Sequence, residues 1–195
     1  MAAGASSRPA AHCDDCHRVR TVTTVVLSIG SNLGDRLARL QSVVDGLGDS
    51  VRAVSPVFES DPWGGVDQDG FLNAVLVAED DGMDARAWLA RAQALEREND
   101  RVRDIRWGPR TLDVDLIVCA DAGRDIRSEE TTLTLPHPQA HRRAFVLVPW
   151  LAIDPSAELT VDGRRRPVKD LLEELDRAER QSVRPTKLVL RRDRR

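Results

Sequence analysis

FLNAVLVAE, residues 71–79, is the stretch on which the fold turns. Side chains alternate along an extended chain, so Phe71, Asn73, Val75 and Val77 share one face and Leu72, Ala74, Leu76 and Ala78 the other. Upstream, Val25, Leu27 and Ile29 alternate with Val26 and Ser28 to give a first strand that stops at Gly30. Leu33, Leu37, Leu40, Val44 and Leu47 then recur at steps of three and four, an amphipathic helix closed by Gly48. Residues 51–59 form a second strand, in which Pro56 calls for an edge or a bulge. Downstream, Asp84 caps a second helix with the stripe Ala85, Trp88, Leu89, Ala92 and Leu95, and Met83 is placed to staple onto Trp88. A loop, ENDRVRDIRWGPRT, leads to a last strand carrying Leu112, Val114 and Leu116.

The resulting order, β-α-β-β-α-β, is the ferredoxin-like arrangement of an α+β protein. Two helices on one face leave the other to the loops and to a C-terminal extension, whose apolar residues 144–151 are expected to pack under the sheet. Val168, Leu171, Leu172 and Leu175 fall at helical spacing and predict a terminal helix that only packs. The expected organisation is a disordered leader over 1–20, one domain over 21–178, and a basic tail over 179–195.

A chain of 195 residues suits one domain with a real core. Charged residues make up 31% of it and the net charge is −3, which excludes a surface that coats nucleic acid generally but leaves room for local basic sites. Its longest uncharged apolar run, near TVTTVVLSIG, is too short to span a bilayer. No charged n-region and apolar h-region open the chain, so the expectation is an unexported, cytoplasmic protein. HCDDCH, residues 12–17, has haem-attachment spacing and half the ligands of a zinc site. Its Ala/Ser/Pro/Arg surroundings read as a leader without an ordered fold to support either. Cys119 follows an apolar run and reads as a small buried hydrophobe.

The chemistry concentrates in RWGPRTLDVDLI, residues 106–117. Asp113 and Asp115 lie one residue apart on a strand and point the same way, roughly 6–7 Å from one another. Their repulsion needs a positive partner, for which Arg106 and Arg110 are one candidate and a divalent cation another. Arginines at 101, 103, 106 and 110 suit phosphate oxygens, and Mg²⁺ takes one or two carboxylates while leaving its other positions to phosphate and water.

GSNLGDR (30–36), DPWGG (61–65) with FLNAV (71–75), RVRDIRWGPRTLDVDLI (101–117) and LPHPQAHRRAF (135–145) together resemble the 6-hydroxymethyl-7,8-dihydropterin pyrophosphokinase family of folate biosynthesis. The resemblance runs from Val25 to Pro155. It implies a transferase that moves the β,γ-diphosphate of ATP to the pterin's hydroxymethyl group and releases AMP. It further implies two Mg²⁺ ions on Asp113 and Asp115, with Arg101 and Arg110 beside them as catalytic residues. Arg101 and Arg103 fall in the loop that closes over ATP, Arg110 and Arg143 match phosphate contacts, and His137 matches an ATP contact. Gln93, Glu96 and Leu116 are further nucleotide contacts on this view. Pterin needs a flat slot with polar edges, for which Phe71 and Phe145 serve as walls and Asn73 as a donor and acceptor. Ser60, Asp61, Trp63 and Trp107 come to the rim or the closing loops. Two departures stand out: the loop between Arg103 and Trp107 is short, and ESDP (59–62) replaces the threonine and prolines of many relatives. The expected partners are the two small-molecule substrates, with no nucleic acid and no membrane, on a monomer whose association with other folate-pathway enzymes is left open.

Two other classes compete. A metal-dependent glycosyltransferase also uses D-x-D, but in a larger nucleotide-binding domain with more strands than this chain has. An RNA-binding module of the same layout needs a K/R-G-F/Y-G/A-F pattern on its third strand, which FLNAVLV lacks.

Overall fold

The computed structural model describes residues 22–62, 69–99 and 110–192. The HCDDCH leader, Trp63, Arg101, Arg103, Arg106 and Trp107 lie outside the described residues. At the centre of the main sheet β1 (Thr23–Ser31) runs antiparallel to β4 (Phe71–Asp80) on one side and β5 (Asp113–Asp121) on the other. On β4 lie β2 (Val51–Val54) and β3 (Phe58–Ser60), while β6 (Arg124–Asp125) extends β5. With β2 and β3 counted as one interrupted strand, this is the ferredoxin-like order, and the α+β class follows.

Local chemistry explains the boundaries. Helix α1 (Arg36–Leu47) starts where the Asp35 carboxylate accepts from the Ala38 N–H at 3.0 Å, and ends at Gly48, whose φ of 52° favours glycine. Leu33 is not part of its stripe: it precedes the cap, in the turn at Gly34, and is 38% exposed. Helix α2 (Ala85–Glu98) starts at Asp84 as expected, its carboxylate accepting from the Ala87 N–H at 2.8 Å, and buries Ala85, Trp88, Ala92 and Leu95. The single strand expected over 51–59 is two strands, because Pro56 has no N–H to give the ladder. Ser55 bridges the gap: its N–H donates to the Val75 carbonyl and its Oγ accepts from the Val75 N–H, each at 2.9 Å.

The alternation of β4 separates two cores. Leu72, Ala74, Leu76 and Ala78 join Leu27, Ile29, Val114 and Leu116 under α1 and α2, with Cys119 buried among them. On the opposite face Val26, Val75 and Ile117 pack against α3 (Ala144–Ile153), α4 (Val168–Glu174) and Leu159 of the hairpin β9 (Glu158–Val161)–β10 (Arg164–Pro167). The extension therefore covers the sheet as expected. A second hairpin, β7 (Ser128–Glu130) with β8 (Leu133–Leu135), leads from β6 to the segment before α3.

The helix over 168–174 is not the end of the folded chain. After α5 (Arg177–Gln181), β11 (Val183–Pro185) pairs antiparallel with β3 at the edge of the main sheet. Leu190 is buried in the core beneath α1, and Gln41 exchanges hydrogen bonds of 2.8 and 2.9 Å with the Arg191 backbone. The residues set apart as a basic tail from 179 are thus joined to the body as far as 192. Among the described residues no helix is long and apolar enough to cross a membrane.

Candidate active site

The second face of the sheet changes character towards the end of β1. Val26, Val75 and Ile117 are apolar, and the next positions are Ser28 and Asp115, then Gly30, Asn73 and Asp113. Gly30 stands directly opposite Asn73 on β4 and opposite Asp113 on β5, so an amide and a carboxylate flank a glycine in one row roughly 10 Å wide. A Cβ on Gly30 would come within 3.1 Å of Asn73 Oδ1 and 3.7 Å of the Phe71 ring, so glycine keeps the floor of that row clear.

The charge question has a direct answer in the structure. Asp113 pairs with Arg110, three residues before it, and Asp115 accepts from Arg143 Nη1 at 3.1 Å. One of the expected positive partners is in place, and Arg143, expected only as a phosphate contact, is the other. Arg143 is 7% exposed and stands immediately before α3, its guanidinium 5.6 Å from the centroid of the Phe145 ring. Two carboxylates and two arginines bring no net charge, and each arginine is a fork that can also meet phosphate oxygens.

His137 reaches the same cluster, its Nε2 3.9 Å from Asp115 Oδ2. Burial pushes its pKa down to about 4, with Arg143 adding to the fall and Asp113 opposing it. At neutral pH the ring is therefore uncharged, and the 3.9 Å approach is not an ion pair. Nδ1 accepts from the Gln139 N–H at 3.1 Å, which leaves the proton on Nε2, facing Asp115 as a donor. Because the folded pKa lies below the unfolded value of 6.5, the unfolded chain binds the extra proton first. Stability from this residue is complete above pH 6.5 and is lost as pH falls from there towards 4. His137→Gln should flatten that part of the stability–pH curve, measured by urea unfolding at successive pH values. An unchanged slope between pH 6.5 and 4 would place the imidazole in water.

The structure brings together Asp113, Asp115, Arg110, Arg143 and His137, and it places Asn73 and Phe71 on the neighbouring strand. Phe71 and Phe145 are half-buried, while Asn73 is buried and donates from Nδ2 to Ser60 Oγ at 2.8 Å. Ser60 thus orients Asn73. Asp61 turns to the surface, where Arg184 forks it at 2.7 and 3.3 Å and holds its carboxyl below the ordinary value. Glu96 is buried on α2 and accepts from the Val114 N–H at 2.9 Å, whereas Gln93 is exposed on the same helix. Leu116 points into the core under α1 and α2, so only its backbone lies near Asp115.

Several residues that hold this site together carried no role in the sequence. Ser31, Asn32 and Arg36, all from GSNLGDR, fasten the ends of two connections. Asn32 accepts from the Arg110 N–H at 2.7 Å, donates its own N–H to the Arg110 carbonyl at 3.1 Å, and donates from Nδ2 to the Asp69 carbonyl at 3.1 Å. Ser31 Oγ donates to the Thr111 carbonyl at 2.5 Å, and Arg36 donates to the Gly70 carbonyl at 2.7 Å. The signal was the motif itself, a polar run between strand and helix that serves neither periodicity.

The donor set also fits a hard cation. Asp113 and Asp115 offer oxygen ligands from one strand face, and among the described residues no group of three His, Cys, Asp or Glu forms an all-protein cage. Mg²⁺ bound through one or two carboxylates together with substrate phosphates needs no more than this.

Paired carboxylates, each holding an arginine on the polar end of a ferredoxin-like sheet, are a donor and acceptor set that suits the class of α+β proteins that bind phosphate groups. Comparison with known proteins narrows the class. The 7,8-dihydro-6-hydroxymethylpterin-pyrophosphokinase (HPPK) family model matches residues 26–155, and the chain belongs to this family. A 2-amino-4-hydroxy-6-hydroxymethyldihydropteridine pyrophosphokinase of Mycobacterium tuberculosis is 61% identical over 168 residues, covering 84% of this chain and 89% of the relative. The protein of the same name from Mycobacterium leprae is 60% identical over 176 residues, covering 87% and 92%. A crystal structure of wild-type Plasmodium falciparum HPPK-DHPS with pteroate superposes with a TM-score of 0.55 at 12% identity, over 77% of this chain and 42% of that one. At that identity the likeness concerns the fold alone, and this chain spans less than half of the longer protein.

Proposed function

We infer that the chain transfers the diphosphate of ATP to 6-hydroxymethyl-7,8-dihydropterin, giving the pterin diphosphate and AMP. The observation that carries this reading is the row Asn73–Gly30–Asp113. An amide that can read a ring edge lies across one bare glycine from a carboxylate that can hold a metal–phosphate complex, a separation of roughly 10 Å that suits a bicyclic ring and its hydroxymethyl arm. Membership of the family and the names of the relatives support the same substrates.

In this reading Asp113 and Asp115 hold two Mg²⁺ ions, which neutralise charge on the phosphates when bound. Arg110 and Arg143 exchange their carboxylates for phosphate oxygens and meet the charge that develops on the transferring group. His137 donates a hydrogen bond from Nε2–H to a phosphate oxygen without bringing a charge. The hydroxymethyl oxygen gives up its proton to solvent and forms a bond to the β-phosphorus as the bond from that phosphorus to the α,β-bridging oxygen breaks, and the electron pair leaves on that oxygen with AMP. Phe71 and Phe145 stack on the pterin, Asn73 reads its edge, and Ser60 fixes the amide that does so. Asp61 serves the rim; Gln93, Glu96 and Leu116 serve the nucleotide side. Arg101, Arg103, Trp63 and Trp107 enter by resemblance.

Asn73→Ala tests the pterin half. Loss of a buried amide that reads the ring should weaken pterin binding by about 1–3 kcal/mol. Affinity for a non-hydrolysable ATP analogue with Mg²⁺ should hold. Calorimetric titration with each ligand separates the two. An unchanged pterin affinity would leave Asn73 with a packing role beside Ser60 only.

A further inference from the structure

We propose that the segment Arg177–Pro185, beyond the residues matched by the family model, is a working strap of the active site, with Glu179 positioning Arg143 and Arg184 positioning Asp61. The proposal rests on the functional reading above. It starts from an irregular helix cap. A helix N-terminus leaves backbone N–H groups without intrahelical partners, and the residue before the helix usually satisfies one with its own Ser, Thr, Asp or Asn side chain. At α3 the residue in that place is Arg143, whose guanidinium has donors only and cannot accept from a backbone N–H; it pairs with Asp115 instead. The acceptor comes instead from 35 residues further along: the Ala144 N–H donates to Glu179 Oε1 at 3.0 Å. A carboxylate there also suits the positive end of the helix dipole. Glu179 thus fixes the first turn of α3 and with it the backbone from which Arg143 reaches Asp115.

The strap then crosses to the pterin side. The Asp61 N–H donates to the Ser182 carbonyl at 3.2 Å, and Val183 pairs with Ser60, the residue whose Oγ holds Asn73. Arg184 closes on the Asp61 carboxylate with two hydrogen bonds, of 2.7 and 3.3 Å. One segment of nine residues therefore touches the backbone beside the arginine of one substrate and the rim of the other.

Two substitutions separate these contacts. Glu179→Ala should weaken calorimetric binding of a non-hydrolysable ATP analogue with Mg²⁺ by about tenfold and raise the KM for ATP in step, with the KM for pterin little changed. Glu179→Gln keeps an oxygen acceptor for the Ala144 N–H and should recover most of that loss. Arg184→Ala should do the reverse, raising the KM for pterin several-fold and sparing ATP. Equal changes in both KM values, or no recovery with Gln, would reduce the strap to a stabilising edge and overturn the proposal. So would wild-type analogue binding in Glu179→Ala. The functional reading is scored separately, on AMP formation by the wild-type chain. Were AMP not formed, the Glu179→Ala and Glu179→Gln difference in analogue binding would still decide whether the strap serves a nucleotide site.

Discussion

Asp115→Ala should lose transfer activity by about two to three orders of magnitude, since on the proposed function it removes a metal ligand that supports several kcal/mol of charge stabilisation in the transition state. It should also lower the melting temperature. Arg143 has only 8% of its side chain exposed, and without Asp115 it loses a carboxylate that water cannot readily replace. Removing one partner of a fully buried pair costs about 3–5 kcal/mol, and because Asp115 is 32% exposed the expected loss is nearer about 1–3 kcal/mol. Asp113→Ala should lose comparable activity with less damage to stability, because Arg110 is 26% exposed and can rehydrate. Thermal unfolding without Mg²⁺ reads the contrast. Higher stability in both variants would mean that repulsion between the carboxylates outweighs their arginine pairs.

Asn32→Ala should be the next most damaging change, although no substrate contact is proposed for Asn32. It is 2% exposed and its side chain joins the Arg110 N–H to the Asp69 carbonyl, so one truncation releases the entry to β5 and the approach to β4 together. Each buried group left without its partner costs about 1–3 kcal/mol. Arg110 would keep its charge and the Asn32 N–H bond to its carbonyl but lose the bond to its own N–H, and the expected result is a fall in kcat of about tenfold or more, the scale of a small misplacement of a group proposed to be catalytic. Asn32→Asp separates the two ends of the amide: it keeps an acceptor for Arg110 and sets a carboxylate oxygen against the Asp69 carbonyl. It should therefore spare kcat more than the KM for pterin. Stopped-assay kinetics on both variants checks this, and wild-type kcat in Asn32→Ala would remove Asn32 from the account.

The parts of the fold that obey a simple periodicity were legible. Alternation in β4 assigned Leu72, Ala74 and Leu76 to one face and Val75 to the other, faces that line separate cores in the structure, and the Asp84 cap and the Gly48 stop are in place. Elements whose hydrogen-bond partners lie far along the chain were not. Val183–Pro185 has no apolar alternation, and only the edge of β3 makes it a strand. The hairpin β9–β10 carried a turn signal in Asp162-Gly163, with φ of 49° and 78°, but its second strand is mostly arginine and does not read as one. The site follows the same division. The carboxylate pair was visible from spacing, whereas Arg143 as the partner of Asp115, and Glu179 as the cap of the helix that follows it, depend on tertiary contacts across 28 and 35 residues.

Which phosphorus is attacked is the most direct test, because paired carboxylates and arginines alone would serve an ordinary kinase equally well. Incubation of the full chain with ATP, Mg²⁺ and 6-hydroxymethyl-7,8-dihydropterin, followed by ³¹P NMR, should give AMP and a pterin diphosphate in equal amounts. ADP with a pterin monophosphate, or ATP consumption indifferent to the pterin, would contradict the account.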